Sequence, residues 1–202
     1  MTGPNKEPGG AAESTQILAQ QATTIGSYSL AIAKARDASG VDSARIFKAV
    51  GIPTDLSNDP MSRLPEAMLT RLYWACVEAT NNPYFGLTVA KHVQISNLHA
   101  LGYSLAASST LMDFCRRLER YFRLLSQTTK ISLSEADEQV LLRFEQLVEL
   151  SAETEDAFYT FLVLTMRHLY QQSFSPLRVE FFHSMPREGA GPYETVMRAP
   201  IQ

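Results

Sequence analysis

Between Ala152 and Ser173 the chain carries apolar side chains on two faces of a helical repeat. Phe158, Phe161, Leu162, Thr165 and Leu169 form one stripe, and Tyr159, Val163, Met166 and Tyr170 form a second. A helix apolar on two sides needs cover on two sides, so this segment is expected to be well buried. Ser151 is placed to cap it, and Glu153, Glu155 and Asp156 lie in the first turns, where the helix dipole favours acids.

The cover must come from what flanks this helix. Upstream, the repeat is helical. SYSLAIAKARDASG places Leu30, Ala33 and Ala38 in a weak stripe closed by Gly40. Asp42 caps SARIFKAV, with Ile46, Phe47 and Val50 inward and Gly51 as the stop, and residues 53–60 form a loop. From about Pro65 a longer helix carries Met68, Leu69, Leu72, Tyr73, Cys76 and Val77 at three- and four-residue steps. NNP ends it, YFGLTVAKHV opens another, and His99–Ala107 forms a short one broken by Ser108 and Ser109. Thr110 then caps a helix with Leu111, Phe114, Cys115, Leu118, Phe122 and Leu125 on one face.

The period changes to two just before the central helix. KISLS sets Ile131 and Leu133 on one face, EADEQ turns, and VLLRFE sets Val140, Leu142 and Phe144 together, which predicts a hairpin. After the central helix, LRVEFFH alternates as a strand with Leu177, Val179, Phe181 and His183 on one side, and YETVMR forms a last short helix. The fold class expected is α+β: a mainly helical N-terminal portion, then a small mixed β-sheet with a long packed helix. Residues 1–23, rich in Gly, Pro and polar types, read as a disordered tail, and residues 24–202 as one domain.

Composition narrows the function. Net charge is −3, so the global field does not steer the chain to nucleic acid. Arg116, Arg117, Arg120 and Arg123 do cluster on one helix, but Glu119 sits among them. A solvated face, a pocket rim for an anion and a subunit contact are all open readings, ahead of a DNA-reading helix. Cys76 and Cys115 have no partner at metal or redox spacing and read as buried thiols in a cytoplasmic protein. No apolar run approaches the ~18 residues of a membrane span, and the first residues lack the apolar stretch of a signal peptide.

No phosphate-cradling glycine loop, nucleophile elbow or zinc-binding helix motif occurs, and His92, His99, His168 and His183 are scattered. An enzyme is therefore not expected, nor a cofactor or a metal site. A ligand pocket would draw on amphipathic residues: Tyr73, Trp74, His99, Tyr103, Arg120, Tyr121 and His183, with Phe158 as an apolar wall. Each of these also reads as ordinary core or surface.

LHALGYSLAASSTLMDFCRRLERYFRLLS resembles a segment of one group of AraC-type transcription regulators, within their N-terminal effector-sensing, "arabinose-binding" domain. NNPYFGLTVAKHV and PLRVEFFHSMP are similar to two further segments of that domain, in the same order, and the early AVGI fits as well. The resemblance spans roughly residues 25–202. It implies the sensory module of a bacterial regulator, with an unidentified small-molecule effector, a homodimer, and DNA contact only through a C-terminal helix-turn-helix domain missing after RAPIQ. It implies allosteric control of that domain. The sheet-and-helix half lacks the glycine-rich pattern of a jelly-roll sugar sensor, which argues against arabinose as the ligand. Three rivals remain: a pure dimerisation or partner-binding module, a haem- or metal-based sensor with a histidine such as His92 or His99 as axial ligand, and an enzyme for which no constellation of residues speaks.

Overall fold

The computed structural model describes residues 22–40, 42–52 and 62–202. The expected tail and the expected loop at 53–60 lie outside the described residues, except that Ala22 is buried and Thr23 opens the first strand. Among the described residues there are eight α-helices and two separate two-stranded sheets. They run β1 (Thr23–Ile25), α1 (Tyr28–Asp37), α2 (Ser43–Val50), β2 (Arg63–Pro65), α3 (Glu66–Thr80) and α4 (Phe85–Ala90). A 3₁₀ turn (Ile95–Leu98) leads into α5 (His99–Ala106) and α6 (Leu111–Leu125). The hairpin β3 (Thr129–Ala136) and β4 (Gln139–Gln146) follows, then α7 (Ala152–Leu169) and α8 (Gly191–Met197).

The α+β class holds, with its sheets smaller than expected. β1 and β2 pair antiparallel, Thr24 opposite Leu64. Three-residue strands carry no usable period, so the sequence gives no sign of this pair. The segment LRVEFFH, expected as a strand, is irregular, with bends at Leu177, Phe182 and His183, and makes a single parallel bridge, Val179 to Ile201. Its backbone is held by Val179 N donating to Pro200 O and Gln202 N to Val179 O, both at 3.0 Å. Val179, Phe181 and His183 do face inward, whereas Leu177 is 73% exposed.

Capping follows the sequence. Asp42 accepts from Ala44 N at 3.0 Å, Thr110 from Asp113 N at 3.1 Å and Ser151 from Thr154 N at 3.3 Å. Gly51 closes α2 in the left-handed conformation, φ 79°. In α1 the buried face is Tyr28, Ala31, Ile32, Ala35 and Arg36. Leu30 and Ala33 are only half-buried and Ala38 is exposed, so the expected stripe is rotated. α7 ends at Leu169 rather than Ser173, because the chain turns back and Phe174 O accepts from Arg167 Nε at 2.7 Å.

α7 lies at the centre, as its two stripes require, with Ala157, Phe158, Tyr159, Phe161, Leu162, Val163 and Met166 all buried. On one side it packs against α4 at very short range. A Cβ added to Gly86 would sit 2.5 Å from Asp156 Cβ and 2.7 Å from Glu153 O. Gly102 plays the same part in α5, where an added Cβ would meet Ile95 O at 2.0 Å. On the other side the hairpin leans over α6 and α7. Ile131 pairs with Phe144 and Leu133 with Leu142, all four turned to the core as expected, whereas Val140, expected beside them, lies near the hairpin tip beyond the helices and is exposed. Asp137 and Glu138 turn it with φ of 51° and 61°, the positive pair of a tight two-residue hairpin turn. No helix among the described residues is long and apolar enough to cross a membrane.

Candidate functional site

The space beneath the hairpin is a cavity of about 50 Å³, and its lining is drawn from several elements between Thr24 and Tyr159. β1 supplies Thr24, and α1 and α3 supply their first residues, Tyr28 and Glu66. The end of α6 contributes Phe122, Leu125 and Ser126, and the hairpin contributes Thr128, Thr129, Phe144 and Gln146. The first turns of α7 add Thr154, Glu155, Phe158 and Tyr159.

The cavity has two chemically distinct sides. One is aromatic: Phe122 and Phe158 stand 5.1 Å apart, Phe144 and Phe158 6.1 Å, and Phe144 and Tyr159 4.7 Å between ring centres. The other is a run of hydroxyls. Thr24 Oγ1 bonds Ser126 Oγ at 2.8 Å, Ser126 Oγ bonds Thr128 Oγ1 at 2.8 Å, and Thr24 Oγ1 also donates to Glu66 Oε2 at 3.3 Å. Apolar walls with a few convergent polar groups are the usual make-up of a small-molecule site.

Burial dominates the electrostatics. Glu66 is 2% exposed, and loss of hydration pushes its carboxyl up to about 7, against the opposing hydroxyls of Thr24 and Thr154. The Thr154 hydroxyl is itself engaged with Ser151 Oγ at 3.1 Å, and Glu66 Oε1 has no partner in hydrogen-bonding geometry. Glu155 is also raised by burial, opposed by Phe182 N and the charge of His183. Its Oε1 accepts from Gln146 on the hairpin and its Oε2 from Phe182 N on the C-terminal segment at 3.1 Å. One carboxylate therefore joins the roof of the cavity to the chain beyond α7.

Next to it, Asp156 Oδ1 meets His183 Nε2 at 2.9 Å and Asp156 Oδ2 accepts from Tyr193 OH at 2.8 Å. His183 Nδ1 faces Ser184 O at 3.0 Å. Both ring nitrogens thus face oxygen, so a proton is held between ring and carboxyl. Burial pulls the His183 pKa down, but the Asp156 hydrogen bond, the Ser184 carbonyl and the charges of Asp156 and Glu155 outweigh it, and the net direction is up. This cluster fastens the segment 177–183 and α8 to α7.

The residues singled out from sequence do not meet in one place. Tyr73 is in the core, its hydroxyl 3.4 Å from that of the cavity residue Tyr28. Trp74 and Tyr103 are 60% and 64% exposed. His99 follows the 3₁₀ turn with φ 47°, a conformation side chains avoid, and its Nε2 is buried without a partner. Arg120 and Tyr121 line a shallow polar depression with Ser104, Asp113, Arg116 and Arg117, and the Arg120 guanidinium lies 5.3 Å over the Tyr121 ring. His183 belongs to the Asp156 cluster, and Phe158 lines the cavity.

The arginine helix is mostly a wet face. Arg116 meets Glu135 at 3.4 Å with both side chains exposed, and Arg117 donates to Ser104 O at 2.7 Å. Glu119, which reads as an ion-pair partner for these arginines, instead accepts from Leu133 N at 2.8 Å and pins the hairpin to α6. Cys76 and Cys115 are buried, and burial pushes both thiols up to about 11, away from reactivity. No group of three or more His, Cys, Asp or Glu among the described residues could hold a metal ion.

Residues 40–202 match the family described as the arabinose-binding domain of AraC transcription regulators, N-terminal. The fold is similar to the crystal structure of the transcriptional regulator CdpR from Pseudomonas aeruginosa, with a TM-score of 0.53 at 15% identity. The similarity covers 79% of this chain and 49% of that one, so this chain spans about half the length of that regulator. No curated protein matches the sequence significantly.

Proposed function

The chain belongs to the family of N-terminal, arabinose-binding-type domains of AraC transcription regulators, and from that premise we propose that it senses a small effector in the cavity beneath the hairpin. The observation that carries this reading is the lining itself: β1, α1, α3, α6, the hairpin and α7 all converge on one aromatic and hydroxyl-bearing space. The seven residues named from sequence are not its walls. Of them, Tyr73 lies one contact away, through Tyr28, and His183 bonds Asp156, the residue after the lining residue Glu155.

The proposed mechanism is a shift between two packings. An occupant that binds one position of the hairpin more tightly than another moves the equilibrium by that difference in affinity. Two routes lead from the cavity to the end of the chain. Glu155 spans from Gln146 to Phe182. A row of rings continues from Phe144 to Tyr159, and from Tyr159 to Phe181 at 5.4 Å. A DNA-binding domain following in a complete cytoplasmic regulator would receive the signal there and would make the promoter contacts.

Native mass spectrometry tests this directly. The expected result is a small mass that travels with the folded chain and is lost on denaturation, or that appears when candidate effectors are added. Regulation that is unchanged when this domain is deleted from the complete regulator would sink the sensing role.

A second reading is a dimerisation module. It is favoured by Val140 and Leu141 near the hairpin tip and by Leu124 and Leu147, which are between 43% and 62% exposed. The same spectra report it as an even-numbered assembly, and Leu141→Asp should dissolve that assembly.

A further inference from the structure

The cavity lining holds two carboxyls, Glu66 and Glu155, and no Lys, Arg or His among the described residues. The two differ in what they have left to offer. Both oxygens of Glu155 are engaged, by Gln146 and by Phe182 N. Glu66 accepts one long hydrogen bond from Thr24 through Oε2, and its Oε1 is buried without a partner. An ionised carboxylate can accept about four hydrogen bonds, and burying one unpaired is among the most costly things a core can contain. Nothing in the packing requires it, since Gln has the same shape.

The same cavity is lined by the rings of Phe122, Phe144, Phe158 and Tyr159. Aromatic faces and a carboxylate both attract a cation, and both disfavour a carboxylate or phosphate ligand. Resting on the effector-site reading above, we propose that the occupant is a small organic cation, a primary ammonium on an apolar body, with its head on Glu66 Oε1 and its body against the rings. A cavity of about 50 Å³ takes the head and a few carbons. A longer body has to displace Phe144 and so lift the hairpin, the movement a sensor requires.

The site should also respond to pH. Glu66 titrates at about 7, because burial outweighs the hydroxyls of Thr24 and Thr154. Glu155 and the hydroxyls of Tyr28 and Tyr159 are the other titratable groups lining the same space, and all three are raised. An ammonium needs the ionised form of Glu66. Its affinity should therefore fall about tenfold between pH 8 and pH 6.

The test is calorimetric titration of the chain at pH 8 with butylamine, 1-butanol and butyrate, and with benzylamine, benzyl alcohol and benzoate. The amines are expected to bind best and the carboxylates worst. Glu66→Gln, with its fold checked by circular dichroism, is expected to weaken the amines on the order of 30-fold while sparing the alcohols. Glu66→Asp should retain part of the amine affinity. Binding of alcohols or carboxylates in preference to amines, unchanged in Glu66→Gln, overturns the cationic head and leaves the cavity standing as an effector site. Equal loss of amines and alcohols in Glu66→Gln also overturns it. Silence from all six compounds overturns it too, and native mass spectrometry then decides the effector-site reading separately.

Discussion

The two flanks of α7 are built on opposite plans. Towards α4 the backbones touch, because Gly86 removes the side chain that would hold them apart and an added Cβ would land 2.5 Å from Asp156. Towards the hairpin the contact is made by rings and hydroxyls around a cavity of about 50 Å³. A backbone contact has no slack, since neither partner can change rotamer to relieve strain. A contact through side chains over a cavity can repack. The difference teaches where this domain can move: α4 and α7 form the frame, and the hairpin is the adjustable part.

One methyl group added on each side would break or confirm that contrast. Gly86→Ala should cost about 3 kcal/mol through overpacking, read as a shift of the urea midpoint. Ser126→Thr keeps the hydroxyl, adds its methyl at the cavity wall, and should cost less than about 1 kcal/mol. Similar losses in the two variants would mean that the hairpin side is as tightly filled as the frame.

The pH dependence of stability sharpens the comparison further. Glu66 has a folded pKa of about 7 against an ordinary value of 4.5. The folded state therefore binds the proton more tightly, and stability declines as pH rises from about 4.5 through 7. The part owed to Glu66 should be roughly 3 kcal/mol, and Glu66→Gln should remove that part, leaving the smaller contributions of the other raised groups, and melt higher than the wild type at pH 8. A flat wild-type profile would show that the carboxyl is already paired.

His183 acts on the frame side. Its pKa is raised in the fold, so its contribution is present below its unfolded pKa and lost as pH rises through the folded one. His183→Ala should cost about 1–2 kcal/mol at pH 6, less at pH 8, and should speed proteolysis of the segment after α7. The smallest effect is expected on the wet face: Arg116→Ala should change stability by less than about 0.5 kcal/mol, because its pair with Glu135 is exposed on both sides.

Legibility in the sequence followed the range of the interaction. Caps and periods act within a few residues, so the Asp42, Thr110 and Ser151 caps, the buried face of α6 and the existence of the hairpin were readable. The β1–β2 pair was not, because its strands are three residues long and lie about forty positions apart. The cavity was not either. Glu66 reads as an ordinary acid in the first turn of a helix, where it is expected in water, and only the distant Thr24 and Ser126 bring it inside. Asp156 likewise reads as an acid placed for the helix dipole and proves to be a buried anchor for His183 and Tyr193. Of the residues named from sequence, Trp74 and Tyr103 lie on the surface, and the rings that line the cavity are Phe122, Phe144, Phe158, Tyr28 and Tyr159. The glycines inside FGL and LGY were visible as letters, but their reason is a neighbour far away in sequence or across a turn.

The tight turn at Asp137 and Glu138 fixes which residue of β3 faces which residue of β4. A slip by a single residue would throw Ile131 and Leu133 outward, so the two strands cannot shear past each other. What remains to them is rotation as one plate, hinged where Gln127 N holds Thr23 O and Leu147 N holds Thr128 O. Under the sensing role proposed above, a guest beneath such a plate would be converted into an angle, and Glu155, holding both Gln146 and Phe182, would pass that angle along as a pull.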